Sequence, residues 1–140
     1  MPKLTGWDVP EDHEAIRHLR TALETNGELR GRTLTDVTAL IRLSQCKDQM
    51  WHRDFPVWSG DLVRPPRTAW VVLERGNEIE FGLPSFLSLV LQARSLCVGD
   101  VVLFDGWVPH RGVACARNIV GMHAYLDVPE VERVRDLKVN

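Results

Sequence analysis

The clearest hydrophobic pattern in the chain is an amphipathic stripe near the N-terminus. Its apolar residues recur at the three- and four-residue spacing of a helix, at Ala15, Ile16, Leu19, Ala22 and Leu23. Acidic side chains cluster at the start of this stretch, where they interact favourably with the helix dipole, and the Asn-Gly pair at 26–27 is typical of a helix stop. The pattern predicts one helix over residues 10–25.

From residue 37 onward the chain consists of short apolar or β-branched segments. Glycine, proline and other turn residues separate these segments, and no internal repeat or linker interrupts them. Strands are predicted at 37–43, 49–55, 68–73, 78–81, 87–91, 101–104 and 119–126. One helix followed by seven or eight strands favours a mainly β fold, a sandwich or barrel of the jelly-roll type. The polar tail at 129–140 is expected to be a short helix or a frayed end.

Length and composition are those of a soluble globular domain. The 140 residues, 44% of them hydrophobic and 26% charged, predict a single domain spanning 1–140 with its β core at about 37–127. Seventeen basic and nineteen acidic side chains give a net charge of −2, so a strong nucleic-acid signature is missing. The longest apolar run is too short to span a bilayer, and the N-terminus lacks the apolar core of a signal peptide. We therefore expect a soluble intracellular protein without a membrane partner.

The three cysteines do not form a recognisable framework. Cys46, Cys97 and Cys115 are scattered and contain no CxxC pair, so neither a zinc ribbon nor a set of disulfides is indicated. Free thiols in a reducing compartment are expected. Cys46 and Cys97 lie in apolar surroundings typical of small core residues, and Cys115 lies in a predicted loop.

Two segments carry residues suited to metal chemistry. His52 and Asp54 are two positions apart on a predicted strand, so their side chains face the same way. His110 lies at a tight corner just after another predicted strand. Two imidazoles and one carboxylate form the facial triad that holds Fe(II) and leaves coordination positions open. Each motif alone is weak evidence, but their joint placement at strand ends favours a metal site.

The segment GDVVLFDGWVPHRG at 99–112 resembles the distal-histidine region of Fe(II)- and 2-oxoglutarate-dependent oxygenases. These enzymes are double-stranded β-helices, cupin-like jelly rolls that carry an HxD…H motif, and the resemblance covers about residues 37–127. It implies that His52, Asp54 and His110 are catalytic iron ligands. It also implies that 2-oxoglutarate and molecular oxygen are co-substrates and that the substrate is hydroxylated or otherwise oxidised.

The arginine that binds the distal carboxylate of 2-oxoglutarate in this family has no direct counterpart. Position 121, eleven residues after the distal histidine, is glycine, and the nearest candidate is Arg117. Arg117, His123 and Tyr125 have the same strand parity as Gly121, so the resemblance implies that Arg117 binds the carboxylate with help from His123 or Tyr125. A degenerate co-substrate pocket is the alternative. Two other arginines compete for the role, Arg42 and Arg111.

Residues beside the proposed ligands are candidates for the substrate pocket. Trp51 and Trp107 offer stacking surface and one donor each, and Arg111 offers a charge for an anionic substrate. A small molecule, a protein side chain and a nucleobase all remain open as substrates, and the pattern carries no signal for oligomeric state. Two other classes also remain open: a cupin-like metalloenzyme that does not use 2-oxoglutarate, and a catalytically inactive β-barrel binding module.

Overall fold

A computed structural model describes residues 5–44, 46–58, 60–82, 88–92, 96–133 and 137–138. The predicted helix, α1, spans Glu14–Thr25. It begins later than expected because His13 is the N-cap residue, whose Nδ1 accepts a hydrogen bond from the backbone N–H of Ala15 at 3.0 Å. It ends as predicted, with Gly27 in the left-handed region at φ 72°. Across the described ranges, no helix is long and apolar enough to cross a membrane.

The described strands form two antiparallel sheets of five strands each. The first sheet has the order β1-β2-β9-β4-β7 and the second the order β10-β3-β8-β5-β6. Consecutive strands from β2 to β5 alternate between the sheets, and β6 to β9 do the same, which is the topology of a double-stranded β-helix. The mainly β fold predicted from the sequence is therefore confirmed. The strands are β1 (Thr5–Asp8), β2 (Thr33–Arg42), β3 (His52–Arg53), β4 (Arg67–Val71), β5 (Glu78–Gly82), β6 (Ser88–Gln92), β7 (Val101–Asp105), β8 (His110–Gly112), β9 (Ile119–Asp127) and β10 (Leu137–Lys138).

Each of the seven predicted strands overlaps an observed one, and the differences lie at the ends and in the shortest strands. β1, β8 and β10 were not predicted, because two to four residues are too few for an alternating pattern to show. The expectation of a helix or frayed end at 129–140 is wrong for residues 137–138, which form β10 and pair with β3. Residue 87 of the predicted strand at 87–91, and residues 134–136 and 139–140 of the tail, lie outside the described residues.

Strand β9 separates two interiors. On one face Met122, Ala124 and Leu126 join the apolar side chains of α1 in a buried core. This burial explains why the helix packs against the outer surface of the first sheet. The other face points between the two sheets and carries small or polar residues: Gly121, His123 and Tyr125. The alternation that the sequence predicted for this segment is therefore present.

The cysteines lie outside the apolar cores. Cys97 is exposed in the turn before β7, where its backbone N–H donates to Asp100 Oδ2 at 2.9 Å, and Cys46 is half-buried in the segment after β2. The expectation that these two residues belong to the core is therefore wrong. None of the three described cysteines forms a disulfide.

Candidate metal centre

The two candidate histidines face each other across neighbouring strands. His52 on β3 is the register partner of His110 on β8, and the ring centroids are 4.3 Å apart. Asp54 follows β3 directly. Its Oδ2 lies 3.4 Å from His110 Nε2, and its Oδ1 lies 3.9 Å from His52 Nε2. One ligand atom from each of the three residues lies within 4.8 Å of the other two, so the structure brings together the three residues that the sequence grouped. These three residues are called the triad below.

The main chain orients both imidazole rings of the triad. His52 Nδ1 lies 2.9 Å from the carbonyl oxygen of Met50, and His110 Nδ1 lies 3.0 Å from that of Val108. A carbonyl oxygen only accepts, so Nδ1 carries the proton in each ring and Nε2 keeps its lone pair. Both Nε2 atoms are directed toward Asp54. Backbone anchoring of this kind fixes the tautomer that a metal ion requires.

A threonine holds the carboxylate of the triad. Thr68 on β4 is buried, and its Oγ1 donates to Asp54 Oδ2 at 2.7 Å. This hydrogen bond fixes the orientation of the carboxylate and leaves Oδ1 available. The sequence pattern does not single out Thr68, because its proximity to Asp54 depends on β4 in one sheet facing the end of β3 in the other.

Burial keeps the deeper histidines neutral. Desolvation lowers the pKa of His110, and this effect outweighs the attraction of Asp54 for the protonated ring. Burial likewise lowers the pKa of His123 on β9. A neutral imidazole binds a metal ion without first losing a proton, so the electrostatics of His110 suit a cation site.

The triad lines a cavity of about 180 Å³ between the sheets. Apolar side chains, including Ile79 and Phe104, form part of its wall. The rest of the wall combines the triad with other polar or part-polar side chains, which come from several elements of both sheets: Arg42, Gln49, Thr68, Trp70, Asn77, His123 and Tyr125. A mostly apolar cleft with a few converging polar groups is the usual form of a small-molecule site.

Three buried polar atoms make this cavity a candidate ligand site. Within the described part of the chain, Arg42 Nε, Asn77 Oδ1 and His123 Nδ1 are the buried side-chain atoms without a hydrogen-bond partner. All three residues line the cavity. An unpaired buried polar group costs about 1–3 kcal/mol, so such groups are retained where a ligand or a bound water satisfies them. The set comprises one cationic donor, one amide and one imidazole.

Arg42 supplies a positive charge to the cavity. Its Nη1 donates to the carbonyl oxygens of Val113 at 2.7 Å and Glu78 at 3.3 Å. The guanidinium packs closely on Gly112, where a Cβ atom would require the ends of the Arg42 and Gln49 side chains to move. Burial lowers the pKa of Arg42, but an arginine stays protonated in a protein. Among the described residues no carboxylate forms an ion pair with it, so the charge is held in place without being neutralised.

Arg117 lies away from the cavity. It is exposed, and its guanidinium donates to the carbonyl oxygen of Arg75. The parity argument that grouped it with His123 and Tyr125 applies only within β9, which begins at Ile119, and Arg117 precedes the strand in a bend. His123 and Tyr125 do line the cavity. The cation beside the start of β9 is instead Arg42, because Arg42 on β2 is the register partner of Ile119.

The other candidate pocket residues also lie outside the cavity wall. Arg111 donates to Glu80 Oε2 from Nε at 3.1 Å and from Nη2 at 3.0 Å, and its guanidinium stacks on the Trp51 ring at 4.7 Å. Trp107 is exposed and meets Trp58 edge-on, with the ring centroids 6.4 Å apart. The charge of Arg111 is therefore compensated, whereas that of Arg42 is not.

Comparison with known proteins supports the fold. No protein-family model matches this sequence, and no match is found among curated proteins. A prolyl-4-hydroxylase from Pseudomonas putida superposes with a TM-score of 0.56 at 17% identity, covering 89% of this chain and 71% of the hydroxylase. An uncharacterised protein with a double-stranded β-helix domain from Klebsiella pneumoniae gives a TM-score of 0.42 at 11% identity, and the match covers 78% of this chain and 84% of the Klebsiella protein.

A further match is to a longer chain. A chain from the crystal structures of the DMSP lyases RdDddP and RnDddQII gives a TM-score of 0.42 at 17% identity, covering 67% of this chain. The protein described here spans 38% of the length of that chain. At 17% identity, the similarity to the hydroxylase concerns the fold alone.

Proposed function

We propose that this protein is an Fe(II)- and 2-oxoglutarate-dependent oxygenase. The observation that carries the proposal is that the triad and the uncompensated guanidinium of Arg42 line the same cavity. A metal ion bound by three residues keeps coordination positions open for other ligands. A fixed cation in the same enclosed space suits the distal carboxylate of a dicarboxylate such as 2-oxoglutarate.

The donor set fits the proposed iron. His52, Asp54 and His110 offer two neutral imidazole nitrogens and one carboxylate oxygen within 4.8 Å of one another. Nitrogen and oxygen donors in this combination are those of non-haem Fe(II) sites, and bound iron supplies the activation of oxygen for attack on a substrate C–H bond. The role of the protein is to orient 2-oxoglutarate and the substrate and to exclude water from the cavity.

Other residues of the cavity divide this work. Thr68 holds the carboxylate of Asp54, and Arg42 binds the distal carboxylate of 2-oxoglutarate. The amide of Asn77 and the imidazole of His123 offer further hydrogen bonds to a bound molecule. Phe104 supplies apolar surface that excludes water, which strengthens each of these polar contacts.

The first experiment tests whether metal and 2-oxoglutarate bind together. Under anaerobic conditions, addition of 2-oxoglutarate to the Fe(II)-loaded protein should produce a metal-to-ligand charge-transfer absorption in the visible range. Fe(II) binding without 2-oxoglutarate binding would overturn the proposal and favour a cupin-like metalloenzyme that does not use 2-oxoglutarate, which the same triad supports. Absence of any metal binding would favour an inactive β-barrel.

The second experiment tests the role of Arg42 with a matched control. In calorimetry on the Mn(II)-loaded protein, Arg42→Ala should lower 2-oxoglutarate affinity by about tenfold or more, because a charge-assisted contact is lost in a buried setting. Arg42→Lys should restore only part of the affinity, since an ammonium lacks the planar fork. Arg117→Ala serves as the control and should bind as wild type does. The opposite ranking of the two alanine variants would show that Arg117 is the anchor.

A further inference from the structure

Two thiols from distant parts of the sequence meet beside Arg42. Cys46 follows β2 and Cys115 lies between β8 and β9, 69 residues later, yet their Sγ atoms are 3.6 Å apart. Cys115 Sγ also lies 3.5 Å from the carbonyl oxygen of Leu43 and 3.9 Å from that of Arg42. Neither cysteine lines the cavity or belongs to the triad.

We propose that Cys46 and Cys115 are a redox modification site, which hydrogen peroxide converts to a reversible intramolecular disulfide. An S–S bond is about 2.0 Å long, so the two sulfur atoms need only a small approach from their present separation. Both residues lie in irregular segments rather than in strands, and such segments adjust more easily than a hydrogen-bonded sheet.

Hydrogen bonds already hold the two segments side by side. Gln49 N–H donates to the carbonyl oxygen of Gly112 at 2.9 Å, and Gly112 N–H donates to Gln49 Oε1 at 2.8 Å. The backbone N–H of Ala114 donates to Asp48 Oδ1 at 2.7 Å. These contacts hold residues 46–49 against 112–115, so the fold itself places the two thiols next to each other.

The oxidation balances with one molecule of hydrogen peroxide. One thiolate attacks the peroxide, which leaves a sulfenic acid and releases hydroxide that takes up a proton as water. The second thiolate then attacks the sulfenic sulfur, forms the S–S bond and releases the second water. The two thiols lose two electrons and two protons in total, and the peroxide is reduced to two waters. Burial raises the pKa of the Cys115 thiol, so the reaction is slow near neutral pH and the peroxide is used in excess.

Peptide mapping tests the proposal on the full chain. Reduced protein is treated with hydrogen peroxide, alkylated without reductant, digested and analysed by mass spectrometry. We expect a peptide pair crosslinked through Cys46 and Cys115, its disappearance with dithiothreitol, and an alkylated Cys97, which is exposed elsewhere. Crosslinks through Cys97, or unlinked Cys46 and Cys115 after treatment, would overturn the assignment.

Serine variants give matched controls of nearly equal volume. Cys46→Ser and Cys115→Ser should each abolish the intramolecular crosslink, whereas Cys97→Ser should retain it. A crosslink that survives in either of the first two variants would also overturn the assignment. The wild-type map decides the question even if a variant folds poorly, and it requires neither metal nor 2-oxoglutarate, so its outcome is independent of the proposed oxygenase activity.

Discussion

His52 and His110 are register partners across the β3–β8 pair, and each is anchored through Nδ1 to the carbonyl oxygen of the residue two positions before it. The Nε2 atoms of the two histidines are therefore positioned by the main chain of two paired strands. Because each ring has its own backbone anchor, we expect the anchor of one histidine to remain when the other is replaced. This makes the triad well suited to single substitutions.

Removal of a triad residue should abolish tight metal binding without unfolding the protein. We expect His52→Ala and Asp54→Ala to lower the affinity for Mn(II) or Fe(II) by orders of magnitude, because each removes one of the three proposed ligands. Elemental analysis and titration calorimetry measure the loss, and circular dichroism checks the fold. The exposed His18 on α1 provides the control substitution, His18→Ala, which should bind metal normally. Normal metal content in both triad variants would rule out this site.

The hydroxyl of Thr68 should contribute to metal affinity without touching the metal. Thr68→Val keeps the shape of the side chain but removes the donor to Asp54 Oδ2, so we expect metal affinity to fall by about tenfold to a hundredfold. Thr68→Ser retains the hydroxyl and should recover most of the affinity. Calorimetry with Mn(II) compares the two variants, and equal affinities would contradict the role given to this hydrogen bond.

The stability of the metal-free protein should decrease as the pH falls below about 6.5, the ordinary pKa of histidine. Burial lowers the folded-state pKa of both His110 and His123 below their ordinary value of 6.5. Below that pH the unfolded chain therefore binds more protons than the folded protein does. Protonation therefore favours unfolding, and the loss begins near pH 6.5 and continues down to the folded-state pKa. Urea denaturation at several pH values measures this loss.

The variant His123→Gln should show a weaker dependence of stability on pH, because one of the two buried imidazoles is gone. His18→Gln, at an exposed position on α1, serves as the control for loss of a histidine outside the cavity. An unaltered pH dependence in His123→Gln would mean that this residue does not contribute to the acid-induced loss of stability.

Gly121 should tolerate a methyl group only if Asn77 is shortened. A Cβ at position 121 would lie 2.9 Å from Asn77 Nδ2 and 3.5 Å from Trp70 Nε1, so Gly121→Ala should cost about 1–3 kcal/mol in the free energy of unfolding. In an Asn77→Ala background the same change should cost much less. Urea unfolding of the four proteins forms a double-mutant cycle, and simple additivity would show that the amide is not the obstacle.

The fold and the triad could be predicted from the sequence because local patterns encode them. The apolar stripe around Ile16 and Leu19 fixes the helix, and the alternation along β9 separates core from cavity. The spacing of His52 and Asp54 places both on the same side of a strand end. Only their approach to His110 depends on distant pairing, and the resemblance to a known motif indicated that approach.

His123 and Tyr125 were predicted and Arg42 was a competing candidate, but other cavity residues were not predicted, because their positions depend on pairing between distant strands. Arg42 lies next to the start of β9 only through the β2–β9 register, so sequence distance from the distal histidine favoured Arg117 instead. Thr68 and Asn77 resemble ordinary strand and turn residues until the two sheets face each other. Their roles depend on contacts across the β-helix, which leave no periodic signal along the chain.

Strand β9 contributes one face to the apolar core and the other face to the cavity, so a change in this strand affects both. A single inserted or deleted residue within β9 would exchange the two faces beyond that point, so that Met122 would point into the cavity and His123 into the apolar core against α1. Such a change would remove the packing of the helix and the lining of the pocket in one step. The irregularity between Thr35 and Thr38 of β2 shows that an extra residue in this strand pair requires a bulge, so we expect new specificity to arise more readily from substitutions or from the loops.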